Sequence, residues 1–271
     1  MHRTNPKSLE YVRSFFPDAV FSGDWKNIID ECDAVVIATP PQAMEEICLY
    51  AIEKGTPIIC EKPLTLSSSS VKNIENALNN RHVPFLVNHI HLFSGAFEAI
   101  QTYVGLSVTY PIHISGHAGN FGPFRNYSAL WDWAPHDISM ILALGPGLYE
   151  PIKVGSVIKF GSGNKTRHRF DLIFEDTSCI ASVEVWNDSG PKTRKMDVRT
   201  KDGDLFCTYD DVNLPKAVVG VMVDYDTTPP LDRMVSAFVR CCIFGNKDWR
   251  FGTYLSSRIA EIIESVELLE R

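Results

Sequence analysis

The 271-residue chain has no apolar run near the roughly 18 residues that a membrane-spanning helix needs. It is also short of positive charge: 26 Lys and Arg stand against 33 Asp and Glu, for a net charge of −7. A surface of that sign holds nucleic acid or an anionic membrane poorly, although a local basic pocket is still allowed. Seven cysteines are present, an odd number, and none forms a C-x-x-C pair. Several sit in apolar runs, which fits reduced thiols and a cytoplasmic setting better than a disulfide frame. Met1-His2-Arg3 leads into no hydrophobic segment of the kind that opens a secretory signal. Glycine is scarce at the start, where the first sixty residues hold only Gly23 and Gly55. That rules out a G-x-G-x-x-G phosphate-binding turn in this stretch. The G-x-G pairs at Gly145–Gly147 and Gly161–Gly163 have no third glycine and open no helix after a strand.

What is there is ordered around residues 33–63, DAVVIATPPQAMEEICLYAIEKGTPIICEKP. Residues 33–39 form a short apolar run stopped by Pro40-Pro41, a buried-strand pattern. Met44, Ile47, Cys48, Ala51 and Ile52 fall at helical spacing, and Gly55 sits where a C-terminal cap belongs. Residues 56–60 read as a second buried strand. Two strands joined by such a helix make a parallel crossover. In open parallel sheets, ligands gather at the carboxyl ends of strands. Thr39-Pro40-Pro41 is one such end and Glu61-Lys62-Pro63 is its neighbour.

A strand ending in ATPP, a helix, and a strand ending in EKP resemble the Gfo/Idh/MocA family of NAD(P)-dependent oxidoreductases. Asp132 and His136, in LWDWAPHDISMILAL, resemble that family's D-x-x-x-H signature about seventy residues later. The likeness runs over most of the chain but lacks the family's first strand, glycine-rich turn and first helix. Met44 stands where many of the family carry a histidine.

Along the chain, Asn5-Pro6 opens a helix that stops at Pro17, residues 19–22 suggest a short strand, and Asp24 caps residues 25–30. A helix over 67–79 and a strand over 83–87 follow, leading to Asn88, His89 and His91. From residue 112 the pattern changes. Strands are expected at 112–116, 154–160, 169–174, 179–186, 193–200 and 203–209, with hairpin signals between the later ones. Helices are expected at 131–144, 231–244 and 254–270. The fold class is thus α/β: a truncated Rossmann-like parallel sheet domain over 1–92, then an α+β domain over 93–271 with a mostly antiparallel, open-faced sheet. The C-terminal helices are placed to pack back on the first domain.

The chemistry rests on a few residues. A lysine buried at a strand end, its pKa lowered by desolvation, can exchange the proton of a hydroxyl. Taken alone, Lys62 would be an ordinary solvated loop lysine; Pro63 biases it toward extended backbone. Asp132 and His136, four apart, share one helix face, where they would also suit a helix N-terminus. The family resemblance implies a cis Lys62–Pro63 bond, Lys62 and His136 as the proton-handling pair, and Asp132 in support. It also implies Glu61 at the nicotinamide ribose, with Thr39, Pro40 and Pro41 walling the cofactor, NAD or NADP. Arg3 lies where a positive side chain would meet a 2′-phosphate. Asn88, His89, Tyr127 and Trp133 are candidate contacts to a small, sugar-like substrate. His89 and His91 have no further ligands nearby for a metal, and the run Lys192, Arg194, Lys195 reads as a solvated strand. The function expected is hydride transfer between a nicotinamide and a hydroxyl-bearing carbon of a sugar, cyclitol or nucleotide sugar. The alternative is an inactive relic that serves as a binding or assembly subunit. The resemblance also implies homodimers or homotetramers formed through the second sheet.

Overall fold

The computed structural model describes residues 6–107, 113–120, 125, 127–144, 149–162, 165–188, 190–200, 202–214 and 216–270. Two sheets organise it. The first contains β1 (Val35–Ile37), β2 (Ile58–Cys60) and β3 (Phe85–Val87), all parallel, in the order β1-β2-β3. The helices α1 (Pro6–Phe15) and α2 (Trp25–Glu31) precede β1; α3 (Pro41–Lys54) and α4 (Ser68–Asn79) are the crossovers. Asp24 caps α2 by accepting from Lys26 N at 2.9 Å. Gly55 ends α3 at φ 77°, a left-handed conformation that glycine adopts without steric cost. Met44, Ile47, Cys48, Ala51 and Ile52 of α3 are buried, as their spacing requires. The strand expected at residues 19–22 is reduced to a single bridge residue, Ser22.

A 3-10 turn (Ile90–Phe93) and α5 (Gly95–Ser107) lead into the second sheet. Its strands are β4 (His113–Gly119), β5 (Ile152–Ser162), β6 (Lys165–Phe174), β7 (Ile180–Trp186), β8 (Thr193–Arg199), β9 (Leu205–Asp210), β10 (Ala217–Val219) and β11 (Val221–Met222). The order is β11-β10-β9-β8-β4-β7-β6-β5, antiparallel except where β4 runs parallel to β7. The succession of hairpins expected over these strands therefore breaks once. β7 and β8 do not pair; β4, reached long before them in sequence, lies between. Turn residues at Asp188 and Gly190 signal a reversal but not which strand will fill the gap. α5, β10 and β11 had no counterpart among the expected elements.

α6 (Ala129–Leu144) and α8 (Tyr254–Leu269) cover this sheet and join it to the first, and α7 (Pro230–Phe244) packs on the 3-10 turn. α6 is buried along nearly its whole length. It lies against the face of β4, β6 and β7 that carries Ile114, Ala118, Phe170, Leu172, Ala181 and Val183, all fully buried. Gly116 of β4 permits the approach, and Gly119 makes room for Trp186 of β7. A Cβ on Gly116 would meet the Asp137 Cβ at 3.2 Å, and one on Gly119 would meet the Trp186 carbonyl oxygen at 2.5 Å. α8 packs on both α4 and α6. Ser68 N and Oγ donate to Glu264, and Trp131 Nε1 donates to Glu267 at 2.9 Å. No helix among the described residues is long and apolar enough to cross a membrane.

Candidate active site

The three parallel strands end side by side. Glu61 N donates to the Ile37 carbonyl at 2.9 Å, and Asn88 N to the Cys60 carbonyl at 2.8 Å. That register puts Thr39-Pro40-Pro41, Glu61-Lys62-Pro63 and Asn88-His89 along one edge, where the crossover topology places ligands. The Lys62–Pro63 peptide is cis. Asn88 Nδ2 donates to Glu61 Oε1 at 2.9 Å, which ties two strand ends together.

Lys62 reaches α6. Its ammonium donates to the Asp132 carbonyl oxygen at 2.6 Å and pairs with Asp132 Oδ1 at 3.2 Å. Both side chains are largely out of water, at 13% and 7% exposure. The solvated loop lysine is therefore not what forms. Burial lowers the Lys62 pKa, and Asp132 pulls it partly back. Pro135 sits inside α6 between Asp132 and His136 and removes one N–H from the helix ladder there.

His136 is buried, and its pKa lies well below the usual imidazole value, because burial and then the neighbouring Lys62 disfavour its charge. Arg194, His91 and His89 act on it in the same direction. His89 is held near pKa 3 by burial and by Lys62, and its Nε2 lies 3.3 Å from Ser256 Oγ of α8. The His91 ring meets the His136 ring edge-to-face at 4.9 Å. Trp133 is buried with the Lys62 ammonium 5.4 Å and the Arg194 guanidinium 5.9 Å from its ring centroid. Tyr127 is half-buried and within electrostatic reach of Asp132 and Glu61. Thr39 Oγ1, Asn88 Oδ1, His89 Nδ1 and His136 Nδ1 are buried polar atoms with no protein hydrogen bond. Unsatisfied groups converging at one strand-end edge are what a polar ligand would satisfy.

Of the residues expected from the sequence, Lys62, Asp132, Trp133, His136 and His89 come together. Thr39, Pro40, Pro41, Glu61 and Asn88 line the adjoining strand ends. Arg3 lies outside the described residues. Met44 is packed in the core at 1% exposure. Arg194 requires a correction. It is not part of a solvated strand but is 2% exposed, its Nη1 3.8 Å from Oδ1 of the fully buried Asp137. The alternation of β8 carries the signal: Arg194 shares its face with Met196 and Val198, both buried. His91 was weighed only as a metal ligand, and it belongs to this cluster.

A model of the oxidoreductase family with an NAD-binding Rossmann fold, Gfo/Idh/MocA, matches residues 1–89. The chain is 36% identical over 182 residues to inositol 2-dehydrogenase of Pseudarthrobacter chlorophenolicus, covering 63% of this chain and 53% of that protein. Residues 1–89 thus match the Gfo/Idh/MocA family. Levoglucosan dehydrogenase of Pseudarthrobacter phenanthrenivorans is 38% identical over 115 residues, which is 42% of this chain and 27% of the relative. Each match thus spans little more than half of the curated relative, or less. A crystal structure of a putative oxidoreductase from Magnetospirillum magnetotacticum superposes with a TM-score of 0.82 at 27% identity, covering 97% of this chain and 88% of the other. A levoglucosan dehydrogenase in complex with NADH and levoglucosan superposes at 0.79 with 17% identity, covering 98% and 86%, and so shares its fold with this chain.

Proposed function

We propose that the chain is an oxidoreductase that moves a hydride between NAD or NADP and a hydroxyl-bearing carbon of a sugar, cyclitol or nucleotide sugar. Residues 1–92 would form the cofactor side and 93–271 the substrate side. The observation that carries this reading is the buried Lys62, bonded to Asp132 beside a neutral His136. Removing hydride from a secondary alcohol also requires taking the proton from its oxygen. The neutral imidazole of His136 has a lone pair to accept that proton, and burial shifts Lys62 toward the amine form that can also accept one. Asp132 fixes the Lys62 ammonium by two contacts and moderates its loss of charge. When bound, the nicotinamide would supply the hydride acceptor or donor. Glu61, Asn88 and Thr39 would hold that end of the cofactor, since Thr39 Oγ1 and Asn88 Oδ1 are buried without protein partners. His89, Tyr127 and Trp133 would bound the substrate. The described residues offer no glycine-rich turn for the pyrophosphate, so no contact is assigned to it.

A second reading, a binding or assembly subunit, rests on a different observation. The outer edge of β1 pairs with no other multi-residue strand among the described residues, and Val36 on it is 71% exposed. For either reading, homodimers or homotetramers would form through the second sheet. Its face opposite α6 carries a row of partnered polar groups, among them Ser182 donating to Asp171 and Thr208 donating to Asp197, each at 2.6 Å. Light scattering on the eluting protein tests the assembly. Fluorescence or calorimetric titration with NADH and NADPH tests the function, followed by turnover assays with a panel of cyclitols and sugars. Saturable binding and reduction of cofactor by one ring class support the enzyme. Absence of binding at millimolar cofactor leaves the subunit reading.

A further inference from the structure

A line of polar side chains runs from the candidate site to the surface without using any group assigned a role above. It starts at His91, in edge-to-face contact with His136 at 4.9 Å. His91 Nδ1 lies 3.1 Å from the Tyr209 hydroxyl. Tyr209, at 0% exposure, donates to Asp211 Oδ1 at 3.4 Å. Asp211 pairs with Lys216 at 3.0 Å, and these two side chains are 26% and 35% exposed. A tyrosine hydroxyl buried in a core is costly unless bonded, and here it is bonded toward the site on one side and toward water on the other. Nδ1 of His91 is engaged by Tyr209, which leaves Nε2 as the nitrogen available to the cleft. His91 faces His136, Lys62 and Arg194 from the site, and Tyr209, Asp211 and Lys216 from β9 and the loop after it. Burial first, and then those cations, keep its ring neutral.

We propose that His91, Tyr209 and Asp211 form the proton path between this site and solvent. The role rests on the hydride transfer proposed above; the hydrogen-bond chain does not. When a hydroxyl is oxidised, hydride leaves its carbon for the nicotinamide and a proton leaves its oxygen. That proton, taken first by His136 or Lys62, passes to His91 Nε2 through a bridging hydroxyl or water. His91 gives its Nδ1 proton to Tyr209 Oη, and Tyr209 gives its own hydroxyl proton to the Asp211 carboxylate, which exchanges it with water. His91 and Tyr209 finish neutral, with their protons on opposite sides, and they reset when the Tyr209 hydroxyl turns back to Asp211 and the His91 ring flips to present its N–H to Tyr209 again. Reduction of a carbonyl draws a proton inward along the same groups.

The test uses Tyr209→Phe, which keeps the buried ring, with Asp211→Asn as a second variant at the exposed end. Imidazole nitrogen spectra of the ¹⁵N-labelled chain should show the His91 Nδ1 signal displaced in Tyr209→Phe, with the exposed His82 unmoved. In turnover, both variants should lose about tenfold in kcat, below the range typical of a group that handles the reacting proton directly. KM should be unchanged, the solvent deuterium isotope effect larger, and imidazole added to the buffer should restore part of the rate. An unmoved His91 signal overturns the chain itself. A displaced signal with unchanged kcat and isotope effect overturns the path and leaves a structural bond. A wild type that oxidises no polyol overturns the functional reading and the path's role with it, while the nitrogen signal still reports whether the bond exists.

Discussion

Replacing Lys62 by methionine removes an ammonium of similar length and leaves the Asp132 carboxylate buried without its cation. The pair is 3.2 Å apart and nearly dry. At an effective dielectric near 20, that separation corresponds to about 5 kcal/mol of attraction. The Asp132 carbonyl also loses its 2.6 Å donor. Breaking a buried pair by deleting one partner typically costs about 3–5 kcal/mol, because the surviving charge is uncompensated. Lys62→Met should therefore lose that much stability in urea unfolding at pH 7. Lys62→Met/Asp132→Asn should recover most of it, with a coupling of about 2 kcal/mol or more between the two sites. Both variants should lose about 10²–10⁴ in kcat, as expected when a positioned proton-transfer group goes. A Lys62→Met protein within about 1 kcal/mol of wild type, with no coupling, would behave like a solvated surface pair. That result would refute the buried-lysine reasoning.

Asp137 supplies a pH prediction. Burial raises its pKa to about 7 from an ordinary 3.8, against the opposing pull of Arg194. An acid raised in the folded state adds stability below its unfolded pKa and loses it as pH climbs through the folded value. Its contribution should therefore fall by about 1.4 kcal/mol per pH unit between roughly pH 4 and 7. Asp137→Asn should flatten that segment of the stability profile measured by urea melts at pH 4.5 and 7.5; an unchanged slope would contradict it. Glu61→Ala should weaken NADH binding about tenfold, or roughly 1.4 kcal/mol, in a fluorescence titration, and an unaltered affinity would remove Glu61 from the cofactor side. Gly119→Ala would set a Cβ 2.5 Å from the Trp186 carbonyl oxygen and should cost about 1–3 kcal/mol, read by thermal or urea unfolding.

The local periodicities of the sequence carried the crossover unit almost intact. α3 buries the apolar set that its 3.6 spacing selects, and Gly55 ends it. The ends of β1, β2 and β3 were legible because proline and polar residues follow each apolar run. The second sheet was legible strand by strand but not in its order, because alternation reports which face a residue takes and not which strand lies beside it. That is why β4 between β7 and β8 was missed. α5 went unread although its buried residues Ala96, Phe97, Ile100 and Val104 fall within about 100° of one helix face. The site divides in the same way. Lys62, Asp132 and His136 carry local motifs, whereas Arg194, His91 and Tyr209 join them through tertiary contacts. Arg194 was hidden further by its charged neighbours Lys192 and Lys195, although the parity it shares with Met196 pointed inward.

The most direct test of hydride transfer at Lys62 and His136 uses cyclitols and sugars deuterated at the ring carbons that bear hydroxyls. Each is incubated with the chain and NAD or NADP, and the nicotinamide product is then analysed by mass spectrometry. Deuterium carried to nicotinamide C4 from one ring class, and lost on Lys62→Met, is the predicted result. A chain that binds cofactor yet transfers no deuterium from any of them, or transfers it equally well without the lysine amine, would contradict the account.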